Sequence, residues 1–193
     1  MIMEWLSEKL TKYIVRTGAV SSELYAVYQY GFQIILEMLS CFLVCLGIAL
    51  YLHMIPEFFV FTGIFMLIRT YAGGLHLNSF GACFICSVAV QTAILIISNK
   101  YVLSLHSAWA ALVLGSLLIW RLSPVESINK ELDKEDKKHC RKMTGKLLVG
   151  TLLLSWGYTL SGAGKMVSLC AMTLIVIVAS QSIGIIIYKN KKR

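Results

Sequence analysis

Two side chains, His76 and Cys83, supply what thiol-based nucleophilic catalysis needs: a base and a nucleophile. They stand in the stretch Arg69-Thr-Tyr-Ala-Gly73-Gly74-Leu-His76-Leu-Asn78-Ser79-Phe-Gly81-Ala-Cys83, a polar break between two apolar runs. On one unbroken helix they would share a face but sit about 10 Å apart along the axis, too far for the ~3 Å contact of a base with its nucleophile. The residues between them supply a remedy. Gly73, Gly74 and Gly81 relax the backbone, and Asn78 and Ser79 are good helix N-caps. The spacing therefore predicts two antiparallel helices, roughly 56–75 and 80–98, joined by a tight turn. His76 then ends the first helix and Cys83 lies in the first turn or so of the second. The positive end of a helix and a neighbouring histidine both favour thiolate over thiol, and unpaired N–H groups there can stabilise the oxyanion of acyl transfer. No Asp or Glu is near to orient the histidine, so the constellation is a dyad. The plainer alternative is a small packed cysteine and an interfacial histidine with no joint role.

Arg69 lies about two turns before His76, roughly 10 Å into the apolar run. Glu37, in the preceding run, comes to a similar depth. Charges at such places need partners, which leaves three roles for Arg69: pairing with Glu37, snorkelling alone to the interface, or binding a substrate carboxylate or carbonyl. Cys83-Phe-Ile-Cys86 together with His76, His139 and Cys140 can be drawn as a zinc site. Only one half has paired ligand spacing, so no metal and no cofactor is expected. Cys41 and Cys45, one helical turn apart, read as packing residues. His53 and His106 fall at the outer face and read as interfacial.

The elements that must hold these residues are membrane helices. The chain has 193 residues, is 58% hydrophobic and only 15% charged, and contains two prolines, which is too apolar for a soluble domain of this size. Six apolar runs can be drawn, roughly 30–52, 56–75, 80–98, 102–120, 146–162 and 166–188, most of them near the ~20 residues a crossing needs. Each must be helical, because an open strand would leave backbone groups unpaired in lipid. The expected fold is therefore all-α: a single polytopic membrane domain over 1–193 with six transmembrane helices. Residues 1–29 show no apolar core or cleavage site of a signal peptide. Within them, 1–16 repeat Met1, Trp5, Leu6, Leu10, Tyr13 and Ile14 at helical spacing, as an amphipathic helix lying on lipid does. Residues 121–146 form the one long polar loop. The six cysteines do not form a disulfide framework.

The net charge of +8 is a matter of topology. With the N-terminus in the cytoplasm, only Lys100 and Lys165 of the eighteen lysines and arginines fall outside. That bias fixes both termini and the 121–146 loop on the inner side and supports an even number of crossings. It argues for lipid and an acidic partner rather than nucleic acid.

Two stretches resemble one family. Arg69-x3-Gly73-Gly74-x-His76-x6-Cys83 is similar to the signature of the AgrB family, the accessory gene regulator B peptidases of bacterial quorum sensing. Ser123-Pro124-Val125-Glu126-x2-Asn129-Lys130 is similar to that family's A-P-V-[DE]…N-K segment, with Ser123 where Ala is usual and Glu131 where Pro often follows. The resemblance covers most of the chain. It implies a membrane cysteine endopeptidase that removes the acidic C-terminal tail of a precursor peptide like AgrD. The cysteine matching Cys83 forms a thioester, the histidine matching His76 handles the proton, and the precursor's own Cys or Ser closes a thiolactone or lactone ring. Lys130, Arg69, Gly73, Gly74, Asn78, Ser79 and Glu37 become candidates for binding substrate or supporting the site, and a homodimer is implied. A small transporter with Arg69 and Glu37 lining a path, or a non-catalytic sensor subunit, are the other classes this composition permits.

Overall fold

A computed structural model describes residues 2–75, 80–125 and 133–191. Among these residues the chain is helical throughout, without a strand. The order is α1 (Ile2–Arg16), a short 3-10 turn (Ser22–Leu24), α2 (Tyr25–Tyr51), α3 (Ile55–Ala72), α4 (Phe80–Lys100), α5 (Leu105–Leu122), α6 (Lys134–Leu160) and α7 (Gly164–Lys191). Punctuation follows local chemistry. Pro56 occupies the first turn of α3, where its missing N–H costs nothing. Ser104 caps α5 by accepting from the Ser107 N–H at 3.3 Å. Gly73 ends α3 with φ +74°, a conformation that disfavours any side chain.

Among the described residues, five helices are long and apolar enough to cross a membrane: the one containing α2, and α3, α4, α5 and α7. The sixth expected crossing, 146–162, lies in α6, which does not meet that standard because charged residues fill its first half. Helix therefore begins at Lys134, well inside the stretch expected as a loop. The apolar surface is turned outward on a scale no water-exposed monomer tolerates. On α2, Ile35, Leu43 and Tyr51 are all exposed, and the same holds for Leu153 and Trp156 on α6. The protein is a multi-pass membrane protein.

Helix α7 is the centre. Its Val167, Cys170, Ala171, Leu174 and Ile177 join Ile64, Ile68 and Ala72 of α3, Leu112 and Ile119 of α5 and Leu148 of α6 in one buried cluster. Helix–helix association in lipid relies on close packing rather than on expulsion of water. Gly115 of α5 fits that rule, since a Cβ there would come within 3.2 Å of the Leu174 side chain. So do the buried Thr144, Thr151 and Ser155 of α6, whose hydroxyls bond to carbonyls of their own helix. A second cluster joins α2 to α3 and α4 through Cys45, Ala49, Phe58 and Leu95. Cys45 and Cys170 are packing residues in these two clusters.

Helix α1 has the bounds its periodicity predicts. It packs on α2, buries the hydroxyl side chains of Ser7 and Thr11 and leaves Trp5, Leu10 and Tyr13 exposed. Lys9 stands 3.9 Å from the centre of the Trp5 ring.

At the far end of the bundle from the Arg69 motif, Lys165 at the start of α7 pairs with the buried Glu57 of α3 at 2.9 Å. It also donates to Asn99 of α4 at 3.2 Å. One of the two lysines assigned to the outer face is thus neutralised within the bundle.

Candidate functional site

The expected helix pair is present with altered ends. α3 stops at Ala72, four residues before His76, and α4 starts at Phe80. His76, Asn78, Ser79 and Lys130 lie outside the described residues. Cys83 is the fourth residue of α4 and is half-buried. α3 and α4 touch directly through few residues, among them Gln91, which donates to Thr62 at 3.1 Å. α3 packs mainly on α6 and α7, and α4 mainly on α2 and α7.

Arg69 occupies the last turn of α3. Its guanidinium donates to the carbonyl of Leu75 and lies 5.4 Å from the centre of the Phe65 ring. Pairing with Glu37, one of the three roles open to Arg69, is not among the described ion pairs. Glu37 accepts instead from Gln33 of its own helix at 2.9 Å, and the described ion pairs are elsewhere. Similar depth fixes one coordinate of a side chain. Its direction around the helix axis fixes the other, and that direction separates these two.

Gly73 and Gly74 are required by what surrounds them. Gly73 combines φ +74° with the backbone of Val125 lying directly where a Cβ would be. Gly74, at φ +153°, faces Ser180, whose Oγ would stand 2.9 Å from any Cβ. Gly81 has open space on that side, so nothing around it explains a glycine.

The two separated motifs meet here. The Val125 N–H donates to the Ala72 carbonyl at 3.0 Å. Gln181 of α7 donates to the same carbonyl at 3.1 Å and to Ser123 Oγ at 3.5 Å. The Leu75 N–H donates to Ser180 Oγ at 3.3 Å, and the Tyr188 hydroxyl donates to the Gly74 carbonyl at 3.4 Å. The stretch 72–75 is therefore wedged between α7 and the turn 123–125. Ser180, Gln181 and Tyr188 escape sequence reasoning, although a polar Ser-Gln-Ser run at 180–182 inside an otherwise apolar segment is a visible signal.

Among the described residues no three His, Cys, Asp or Glu side chains come together as a metal site. His139 faces the Tyr71 ring, 6.3 Å between centres.

Residues 7–188 match the model of the family described as AgrB, accessory gene regulator B. The chain belongs to that family. No curated protein and no solved structure matches it. Membership places this AgrB chain in the accessory gene regulator quorum-sensing system, among cysteine-peptidase-like membrane proteins that process a peptide, with an AgrD-like precursor as partner.

Proposed function

We propose that this protein is a membrane cysteine endopeptidase that trims and helps to cyclise an AgrD-like precursor. Cys83 Sγ attacks the scissile carbonyl, the peptide C–N bond breaks, and His76 passes the thiol proton to the leaving amine. The tail departs and the precursor's N-terminal part remains as a thioester on Cys83. The precursor's own thiol or hydroxyl then attacks that thioester, gives its proton to His76, and leaves as a thiolactone or lactone. In the thiol case one thioester replaces another, so the exchange is nearly balanced in energy. Limited access of water at the membrane edge protects the intermediate from hydrolysis.

The observation that supports this reading is the placement of Cys83 in the first turn of α4, together with a glycine-bearing segment 72–75 that Arg69, α7 and the turn 123–125 hold in place. The same end of the molecule carries exposed Lys134, Lys138 and Lys142 on the first turns of α6, suited to an acidic tail. Both termini and the start of α6 are cytoplasmic in this proposal, with α6 as a sixth crossing, and the active form is a homodimer. A transporter reading needs Arg69 and Glu37 to line a path, whereas Arg69 is engaged by Leu75 and Glu37 by Gln33.

The test uses a precursor whose core nucleophile is replaced by Ala. The acyl-enzyme then cannot resolve by cyclisation. Mass spectrometry is expected to find the precursor's N-terminal part on Cys83. An adduct on another cysteine, or normal cleavage by Cys83→Ala, overturns the mechanism.

A further inference from the structure

Four polar backbone groups between the end of α3 and His76 are held by side chains. The Ala72 carbonyl takes Gln181, the Gly74 carbonyl takes Tyr188, and Leu75 is held at both ends: its N–H by Ser180 and its carbonyl by Arg69. Three of these four side chains come from α7. Ser180, Gly184 and Tyr188 recur every fourth residue and so share one face of that helix. Gly184 brings the face close, since a Cβ there would stand 3.1 Å from Gly74 C and Leu75 N.

Ordinary capping of a helix end requires partners only for the last carbonyls. The Ser180 bond lies beyond the helix and engages a donor on the residue directly before His76 in the chain. The 74–75 peptide unit is gripped at both of its polar ends, by Tyr188 and Ser180, and has little freedom to rotate; the next planar unit, which leads into residue 76, is held at the Leu75 carbonyl by Arg69. We infer that Ser180 is a positioning residue for the catalytic base: it grips the Leu75 N–H, one residue before His76 in the chain, and so restrains the backbone that leads into that base, with Gln181 fixing the root of the segment. This inference rests on the peptidase reading above.

The test measures precursor cleavage and iodoacetamide alkylation of Cys83 at neutral pH, on the full chain in membranes, with the exposed Cys86 as internal control. For Ser180→Ala the expected result is a kcat reduced roughly 10–100-fold, as a small misplacement of a catalytic group produces, with KM nearly unchanged. Alkylation of Cys83 falls toward the level of His76→Ala while that of Cys86 stays at the wild-type rate. Ser180→Thr, which keeps the hydroxyl, restores most of both. If Ser180→Ala does not accumulate, Tyr188→Phe removes only the hydroxyl above Gly74 and carries the same pattern at smaller size. Wild-type cleavage in these variants overturns the inference, as does lost cleavage with Cys83 alkylation unchanged or with Cys86 altered in parallel. The two failures are separable. If His76→Ala itself leaves cleavage and Cys83 alkylation untouched, the peptidase reading falls; if it abolishes both and the α7 variants do not, only the role of Ser180 falls.

Discussion

Gly73 lies flush against Val125, so close that the space for a side chain is taken by the Val125 backbone. The contact joins the end of α3 to the turn after α5, Gly73 and Val125 being 52 positions apart in the sequence. Gly73→Ala would meet that backbone and would also strain φ +74°. The expected cost is about 1–3 kcal/mol, with precursor cleavage lost. A detergent melt together with a cleavage assay checks it; wild-type values in both would mean that the junction is not fixed.

Cys83→Ala should abolish cleavage and leave precursor binding largely intact, because the thiol makes the bond and adds little contact area. Cys83→Ser should remain nearly inactive, since a hydroxyl is a far weaker nucleophile than a thiol. Substitution of Cys41, Cys45, Cys86, Cys140 or Cys170 should affect packing at most. Pull-down of tagged precursor alongside the cleavage assay separates binding from chemistry for each variant.

Glu37 and Arg69 should behave as independent residues. Glu37→Gln and Arg69→Ala, alone and combined, form a double-mutant cycle in detergent melts, and its coupling should stay below about 0.5 kcal/mol. Arg69→Ala alone should reduce cleavage, because it frees the Leu75 carbonyl. A large coupling would restore the ion pair that depth alone suggests.

Breaking the outer pair should harm stability and spare chemistry. Lys165→Ala leaves the buried Glu57 without its cation and should cost about 1–3 kcal/mol. That is below the figure for a fully buried pair, because Lys165 is partly open to solvent. Adding Glu57→Gln should recover part of the loss. Melting curves check this, and cleavage by the surviving folded fraction should match wild type.

Topology is checked by impermeant thiol labelling of intact cells. A cysteine placed near Lys134 should be protected and one near Lys165 reachable. Strong labelling near Lys134 would invert the proposed orientation.

Much of the frame was legible in the sequence. Helical spacing of Trp5, Leu6, Leu10 and Tyr13 predicts a helix over 1–16, and α1 spans Ile2–Arg16. The glycines after Arg69 predict a break before Cys83, and α3 ends at Ala72. Such features depend on neighbours within a few turns. The grip of Ser180, Gln181 and Tyr188 on 72–75 does not. These side chains bond backbone groups more than a hundred residues away, and backbone groups carry no residue identity that a pattern can reveal. The end of α3 was placed too late for a related reason. Apolar character continues through Leu75, whereas the helix stops where Val125 requires a glycine turn.

The central position of α7 also has a consequence in time. The chain leaves the ribosome from its N-terminus, so α3, α4 and α5 are made while the helix that grips 72–75 does not yet exist. Until α7 inserts, the Leu75 N–H lacks Ser180 and the Ala72 carbonyl lacks Gln181. A half-made copy thus carries Cys83 before the bonds that hold 72–75 in place can form.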